Sequence, residues 1–177
     1  REAYNIFACN GILFNHESPR RGETFVTKKI IRGLVRIKYG IDKTLFLGNL
    51  NAKRDWGHAK DYVEAMWKIL QQKVPEDWVI ATGKQYSIKS FVNIVCKKLD
   101  IKIQWRGKGI KEKGINTENR KSIIQIDKNY FRPLDVNTLL GNASKARKKL
   151  KWKPKYNLNS LVDEMISEEI KLINENK

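Results

Sequence analysis

Asn10-Gly-Ile-Leu-Phe-Asn-His-Glu-Ser-Pro-Arg-Arg-Gly22 is the stretch whose reading decides the fold. The apolar run from Ile6 to Phe14 predicts a strand, and the residues after it predict a turn-rich polar loop closed by Pro19 and Gly22. Within that loop stand an amide (Asn15), an imidazole (His16), a carboxylate (Glu17), a hydroxyl (Ser18) and two guanidinia (Arg20, Arg21). A strand emptying into a polar loop before a helix is how α/β sheets build ligand sites at the carboxyl edge of a strand. Paired arginines suit an anionic, phosphorylated ligand, because each fork of donors matches two phosphate oxygens. A solvated surface loop is the plain alternative, and the length of the connection, roughly a dozen residues, argues against it.

Working outward, Thr24 to Arg36 predicts a helix with Ile30, Ile31, Leu34 and Val35 on one face and Gly40 at its end. Lys28 and Lys29 fall in its first turns, where a cation is unhelpful to the helix; a ligand phosphate at that end would explain them, and a solvated lysine is the plain alternative. Leu45 to Leu50 predicts a short strand with a glycine turn, leading into Lys53-Arg-Asp-Trp-Gly-His58. There Arg54 can pair with Asp55, or stack on or clamp a ligand. Val63, Met66, Trp67 and Leu70 recur at i, i+3, i+4 and i+7 and predict a helix whose apolar stripe enters the core.

Trp78 to Ala81 predicts a buried strand, and Ser87 caps a helix bearing Ile88, Phe91, Val92, Val95 and Leu99. Ile101 to Trp105 alternates as a strand. Gly107 to Lys121 is charged and aperiodic and predicts a loop; Ser122 to Asp127 predicts another strand. Tyr130 to Asp135 forms a second polar loop holding Arg132. Asn142 caps a short helix through Leu150, and a last helix carries Leu158, Leu161, Val162, Met165 and Ile166 on one face. The pattern is mixed α/β, with strand–helix–strand alternation confined to the first third.

Composition narrows the function classes. A chain of 177 residues with 41% hydrophobic and 31% charged residues can bury a core, and it contains no run of 18 apolar residues to span a membrane. Arg1 is not a translation start, so targeting is left open. Cys9 and Cys96 read as reduced core residues of a cytoplasmic protein, and His16 and His58 lack metal-ligand spacing, so no metal is expected. The formal charge of +17 attracts polyanions, but the lysines are spread along the chain instead of forming a block. A basic nucleic-acid-binding module would need exposed aromatics among them, whereas Trp67, Trp78 and Phe91 sit at core-like spacings; no specific nucleic acid is expected.

Asn15-His-Glu-Ser-Pro-Arg-Arg-Gly22, Thr24-Phe-Val-Thr27, Arg54-Asp-Trp-Gly-His58, Ala81-Thr-Gly83 and Tyr130-Phe-Arg-Pro133 together resemble the GDP-mannose 4,6-dehydratases, extended members of the short-chain dehydrogenase/reductase superfamily. The resemblance runs from Arg1 to about the final helix. It implies an α/β fold: the last strands of a Rossmann-like parallel sheet plus the smaller mixed α/β substrate-binding domain, residues 1–177 being the carboxyl-terminal part. The glycine-rich G-x-x-G-x-x-G is absent, and the resemblance puts the family's catalytic Tyr-Lys pair, Thr and Glu upstream of Arg1, so the chain alone should be inactive.

In the family, hydride passes from C4 of the mannose to NADP, water leaves across C5 and C6, and hydride returns to C6. GDP-mannose becomes GDP-4-keto-6-deoxymannose, a precursor of GDP-fucose and related deoxysugars. By the same resemblance His16 and Arg21 touch NADP, while Asn15, Lys29, Gly48, Asn49, Arg54 and Arg132 surround GDP-mannose, the two arginines on the diphosphate. Asp135 stands where the family's glutamate meets the ribose, one methylene shorter. The full-length form is expected to be a dimer or tetramer, and a catalytically inactive nucleotide-sugar-binding relative is the remaining alternative. A half cut from a larger sheet would leave a strand edge unpaired near Ile6 to Phe14, which makes the isolated chain marginally stable or oligomeric.

Overall fold

The structure, a computed structural model, describes residues 1–131 and 136–175. In chain order the elements are β1 (Gly11–Leu13), β2 (Asn15–Glu17), α1 (Val26–Lys38), β3 (Leu45–Leu47), β4 (Lys53–Arg54), β5 (Trp56–His58), α2 (Ala59–Leu70) and β6 (Trp78–Ile80). They continue with β7 (Tyr86–Ser87), α3 (Ile88–Lys98), β8 (Ile103–Arg106), β9 (Lys113–Asn116), β10 (Ser122–Ile126), α4 (Ser144–Lys149) and α5 (Leu158–Glu175). The α/β class expected from the sequence is the class observed. The chain divides into two compact units, one built from Arg1–Ser18, Arg54–Tyr86 and Thr138–Leu161, the other from Pro19–Lys53, Ser87–Asn137 and Val162–Lys177.

In the first unit β1 pairs in parallel with β6, Gly11 opposite Trp78 and Leu13 opposite Ile80, and β2 pairs in parallel with β5. The single residue between β1 and β2, Phe14, donates its N–H to Ile80 (3.0 Å) and so closes one ladder as the next begins. The strand expected from Ile6 to Phe14 is therefore shorter than its apolar run. Tyr4 and Ile6 are exposed, and Cys9 lies half-buried ahead of the strand. Pairing starts only where Asn10 meets the second chain segment, its carbonyl accepting from Trp78 N–H and its amide donating to Asp77. Conversely, the first three residues of the expected polar loop are strand, because β5 supplies them with partners.

The core of this unit gathers Tyr62, Ala65 and Ile69 of α2, Trp78 and Ile80 of β6, and Ala146, Leu150 and Trp152 of the α4 region. This corrects the expectation that Val63, Met66, Trp67 and Leu70 are core. Val63, Trp67 and Leu70 are each at least 60% exposed, and Met66 is exposed as well. Two apolar stripes share this helix, offset by one residue, and the sheet takes the one containing Tyr62. Helix α2 begins under His58, whose Nδ1 accepts the Lys60 N–H at 3.1 Å. Asn142 accepts the Ser144 N–H at 3.0 Å ahead of α4. At α5, Asn157 and Ser160 cap reciprocally, each side chain taking the other's backbone N–H. The predicted face of α5, Leu158 through Ile166, is buried throughout.

In the second unit a four-stranded sheet runs β3-β10-β9-β8, with β10 parallel to β3 and the other pairs antiparallel. Helix α1 buries Ile30, Ile31, Leu34 and Val35, and α3 buries Ile88, Phe91, Val92 and Val95, as their spacing requires. Ser87 caps α3 through the Ser90 N–H at 3.0 Å. Gly107 to Lys121, expected to be a loop, contains β9. A turn with positive φ at Gly107 reverses the chain, and Gly114 then sits where an added Cβ would come within 2.7 Å of Ile103 and 3.1 Å of Ile124. The missing side chain hid the strand's alternation and is what lets it occupy the middle of the sheet.

Candidate functional site

The sequence-predicted residues fall into two sets, one in each unit. In the first unit the register of β2 on β5 sets Asn15 opposite Trp56 and His16 opposite Gly57, with Arg54 two residues before Trp56 on the same stretch. His16 is half-buried, and its Nδ1 lies 2.9 Å from the Phe14 carbonyl. A carbonyl can only accept, so Nδ1 carries the proton and Nε2 of the neutral ring remains an acceptor. The imidazole stacks on Tyr62, centroids 4.9 Å apart and planes 26° from parallel. Tyr62 is fully buried, meets Trp152 edge-on, and its hydroxyl finds no hydrogen-bond partner. Burial, and after it the nearby Asp55 carboxylate, pushes this phenol far above its ordinary pKa. Gly57 is obligatory here: a Cβ would stand 2.5 Å from the Tyr62 ring.

Asp55 is engaged within the protein. Its fully buried carboxylate accepts from Thr82 N–H (3.0 Å), Thr82 Oγ1 (2.5 Å), Gly83 N–H (2.9 Å) and Gly141 N–H (3.3 Å). It is a structural knot, filled by neutral donors, that fixes β5 and thereby the strand from which Arg54 projects. The motif Ala81-Thr-Gly83 supplies most of those donors, a role that the spacing of residues 55 and 82 could not announce.

In the second unit the guanidinium of Arg21 lies 3.6 Å over the ring of Phe25, and the ammonium of Lys29 lies 3.3 Å over the ring of Tyr130. Lys28, beside Lys29, is buried and paired with Glu169 at 2.8 Å, so it is answered within the protein. Gly48 approaches the backbone of Tyr130 so closely that a Cβ would lie 2.2 Å from its carbonyl oxygen. Next to it the Asn49 side chain accepts the Asn51 N–H at 3.0 Å and shapes the turn. Lys29, Gly48 and Tyr130 therefore form one cluster, and the tyrosine is the member that sequence reasoning did not single out. Arg132 and Asp135 lie outside the described residues.

Among the described residues no group of three His, Cys, Asp or Glu could hold a metal, and no helix is long and apolar enough to cross a membrane. One Tyr-x-x-x-Lys spacing occurs, Tyr39 to Lys43. It does not share a helix face, because Tyr39 is the C-cap of α1 and Gly40 turns away at φ +72°. It is not the catalytic pair of a dehydrogenase helix.

The family pattern described as GDP-mannose 4,6 dehydratase matches residues 1–165. The chain belongs to the GDP-mannose 4,6-dehydratase family. A GDP-mannose 4,6 dehydratase from Dictyostelium discoideum is 56% identical over 173 residues, covering 98% of this chain and 49% of the relative. The Homo sapiens protein of that name is 51% identical over 176 residues, 99% of this chain and 47% of its own. The chain thus spans about half the length of the curated relatives it matches. Among solved structures it resembles RMD from Pseudomonas aeruginosa complexed with NADPH, at TM-score 0.77 and 15% identity over 96% of this chain and 50% of that one. It also resembles dTDP-glucose 4,6-dehydratase from Bacillus anthracis in complex with NAD, at TM-score 0.73 and 19% identity over 96% and 47%. At such identities these two likenesses establish the fold, that of extended short-chain dehydrogenases, and agree with the architecture read from the sequence.

Proposed function

We propose that this chain is the carboxyl-terminal, mainly nucleotide-sugar-binding part of a GDP-mannose 4,6-dehydratase, a hydro-lyase that forms GDP-4-keto-6-deoxymannose. The observation that carries the reading is identity above 50%, over nearly the whole chain, to curated proteins of that name. In this reading Asn15, Lys29, Gly48, Asn49, Arg54, Arg132 and Asp135 receive GDP-mannose, with Arg54 and Arg132 on the diphosphate. Lys29 is held by Tyr130 and Gly48 keeps that tyrosine close, so one ammonium is delivered at a defined place toward an anionic ligand.

The cofactor is NADP, received by His16 and Arg21. Each residue by itself has chemistry suited to such a group: the imidazole of His16 is fixed beside the Phe14 carbonyl, and Arg21 carries a guanidinium suited to phosphate. When bound, NADP would take up and return the hydride of the internal redox cycle. What this chain contributes is binding and orientation. Tyr62 holds the His16 ring, and Asp55 fixes the segment bearing Arg54. The catalytic Tyr, Lys, Thr and Glu belong to the half of the protein that this chain does not span, so the chain alone does not turn over. That RMD was solved with NADPH and the Bacillus anthracis dehydratase with NAD supports a nicotinamide cofactor. The same reading assigns the full-length protein to the cytoplasm as a dimer or tetramer, feeding GDP-fucose or another deoxysugar.

Thermal stabilisation at about physiological salt, where diffuse polyanion attraction is screened, tests this. GDP-mannose and GDP should raise the melting temperature and UDP-glucose should not, with the gain lost in Arg54→Ala. A shift with a short DNA duplex alone, fading as salt rises, would overturn the reading in favour of charge-driven binding.

A further inference from the structure

Helix α5 buries Val162, Met165 and Ile166 on one face, and the next position on that face is Glu169. A carboxylate thus stands where the pattern calls for an apolar side chain. Its Oε2 lies 2.8 Å from Nζ of Lys28 in the first turns of α1, and both side chains are only 6% exposed. Lys98–Asp163, which ties α3 to the same helix, leaves its aspartate 59% exposed. Burying two charges costs more than their attraction returns unless the remaining lone pairs are also satisfied. Here they are not. Among the described residues Oε2 accepts no bond in hydrogen-bond geometry, and Arg32 Nε stands 3.9 Å from Oε1. Methionine at 28 and leucine at 169 would fill the same space without that penalty, so stability does not account for the pair.

What the pair does is fix α1 in rotation. Successive residues of a helix point about 100° apart, so Lys28 and Lys29 leave α1 in different directions. Lys28 is tied to Glu169, and the ammonium of Lys29 lies 3.3 Å over the ring of Tyr130. The helix end supplies no tether of its own: Phe25 makes no side-chain cap bond, and the first turn holds no acid. The neighbouring Arg32–Glu23 contact is no substitute, because Glu23 is 66% exposed and such pairs constrain little. We propose that Glu169 is a positioning residue: by holding Lys28 it sets the rotation of α1 and places the Lys29 ammonium over Tyr130, where GDP-mannose is received. This rests on the function proposed above and adds to it a residue that acts through another.

The test reads Lys29 directly by nuclear magnetic resonance. Its ε-methylene protons, held at the face of Tyr130, are shifted upfield by the ring current, and Tyr130→Leu identifies the resonance. Lys28→Met combined with Glu169→Leu removes both charges and strands neither. That variant should keep or raise the melting temperature, lose the upfield shift and bind GDP-mannose at least tenfold more weakly by calorimetry. Glu169→Gln, of the same shape as the native residue, carries the comparison where the apolar pair fails to fold. Lys28→Arg combined with Glu169→Asp restores an ion pair of similar reach and should recover both shift and affinity. Glu23→Gln should alter neither. Retention of the upfield shift without the pair overturns the proposal, as does loss of the shift with affinity unchanged. So does an affinity that only follows the melting temperature across the variants, since the pair would then be a strut. Absence of GDP-mannose binding by the unaltered chain would count against the proposed function, and the Lys29 resonance would still decide whether Glu169 places that ammonium.

Discussion

The imidazole of His16 rests on the ring of Tyr62, 4.9 Å between centroids, and the tyrosine hydroxyl beneath it is buried without a partner. The ring and the hydroxyl make opposite contributions. The ring supports His16 and fills the core, while the hydroxyl is a desolvated donor with nothing to receive it. Tyr62→Phe should therefore be neutral or slightly stabilising and leave cofactor affinity intact. Tyr62→Ala should cost about 3–5 kcal/mol and loosen His16. Urea midpoints of the two variants separate the contributions, and a destabilised Tyr62→Phe would refute the unpartnered hydroxyl.

Asp55 should be intolerant even of its amide. Asp55→Ala strands backbone donors of Thr82, Gly83 and Gly141 and should cost about 3 kcal/mol or more. Asp55→Asn keeps one acceptor but turns an NH2 toward N–H groups, so it should recover only part of that loss. Chemical unfolding of both variants would show whether the carboxylate is the knot described above.

Gly48→Ala tests the contact with Tyr130. A methyl group would collide with backbone rather than with a flexible side chain. The segment from Lys128 to Phe131 must then shift, at a cost of about 1–3 kcal/mol. If Lys29 is placed by Tyr130, this variant should also weaken GDP-mannose binding while sparing NADP binding, a split that paired titrations would reveal.

The two thiols should differ in reactivity. Burial raises the Cys96 thiol to about 12, whereas Cys9 is half-buried near the amino terminus. At about pH 8 a thiol reagent should modify Cys9 in the folded chain and reach Cys96 only as the chain unfolds. Prompt modification of both would mean that the α3 packing is loose.

Acid should erode stability gently. Hydrogen bonds from Lys155 and then Lys68 hold Glu64 below its ordinary pKa, Lys149 and then Lys145 do so for Glu76, and Arg36 does so for Asp42. A lowered folded pKa contributes stability that is full above the ordinary carboxylate range and is lost as pH falls through it toward the lowered values. All three side chains are partly exposed and screened by solvent, so the loss should be shallow and flattened by salt. Urea midpoints at about pH 6 and pH 3, with and without added salt, measure it.

Helices whose apolar face is used once were legible from spacing alone, as α1, α3 and α5 demonstrate. Helix α2 was not. Tyr62, Ala65 and Ile69 and the stripe through Val63 and Trp67 have similar spacing, and only a partner decides which turns inward. Short strands were misjudged where pairing sets their limits: Ile6 is as apolar as Ile12, but among the described residues no strand pairs with it. In β9 the informative residue was Gly114, whose value lies in the space that it leaves. The contacts that hold the motif residues, His16 on Tyr62, Thr82 on Asp55 and Lys29 over Tyr130, join positions far apart in the chain and required the fold.

Each unit is assembled from three separated stretches of chain, with the stretches of the other unit threaded between them. Neither can be excised by cutting at one point, and neither can close during synthesis until its third stretch, after residue 137, has left the ribosome. Chain order therefore ties the two sets of candidate ligands to a shared assembly schedule. A truncation before α4 should remove both sets together and leave no autonomous half behind.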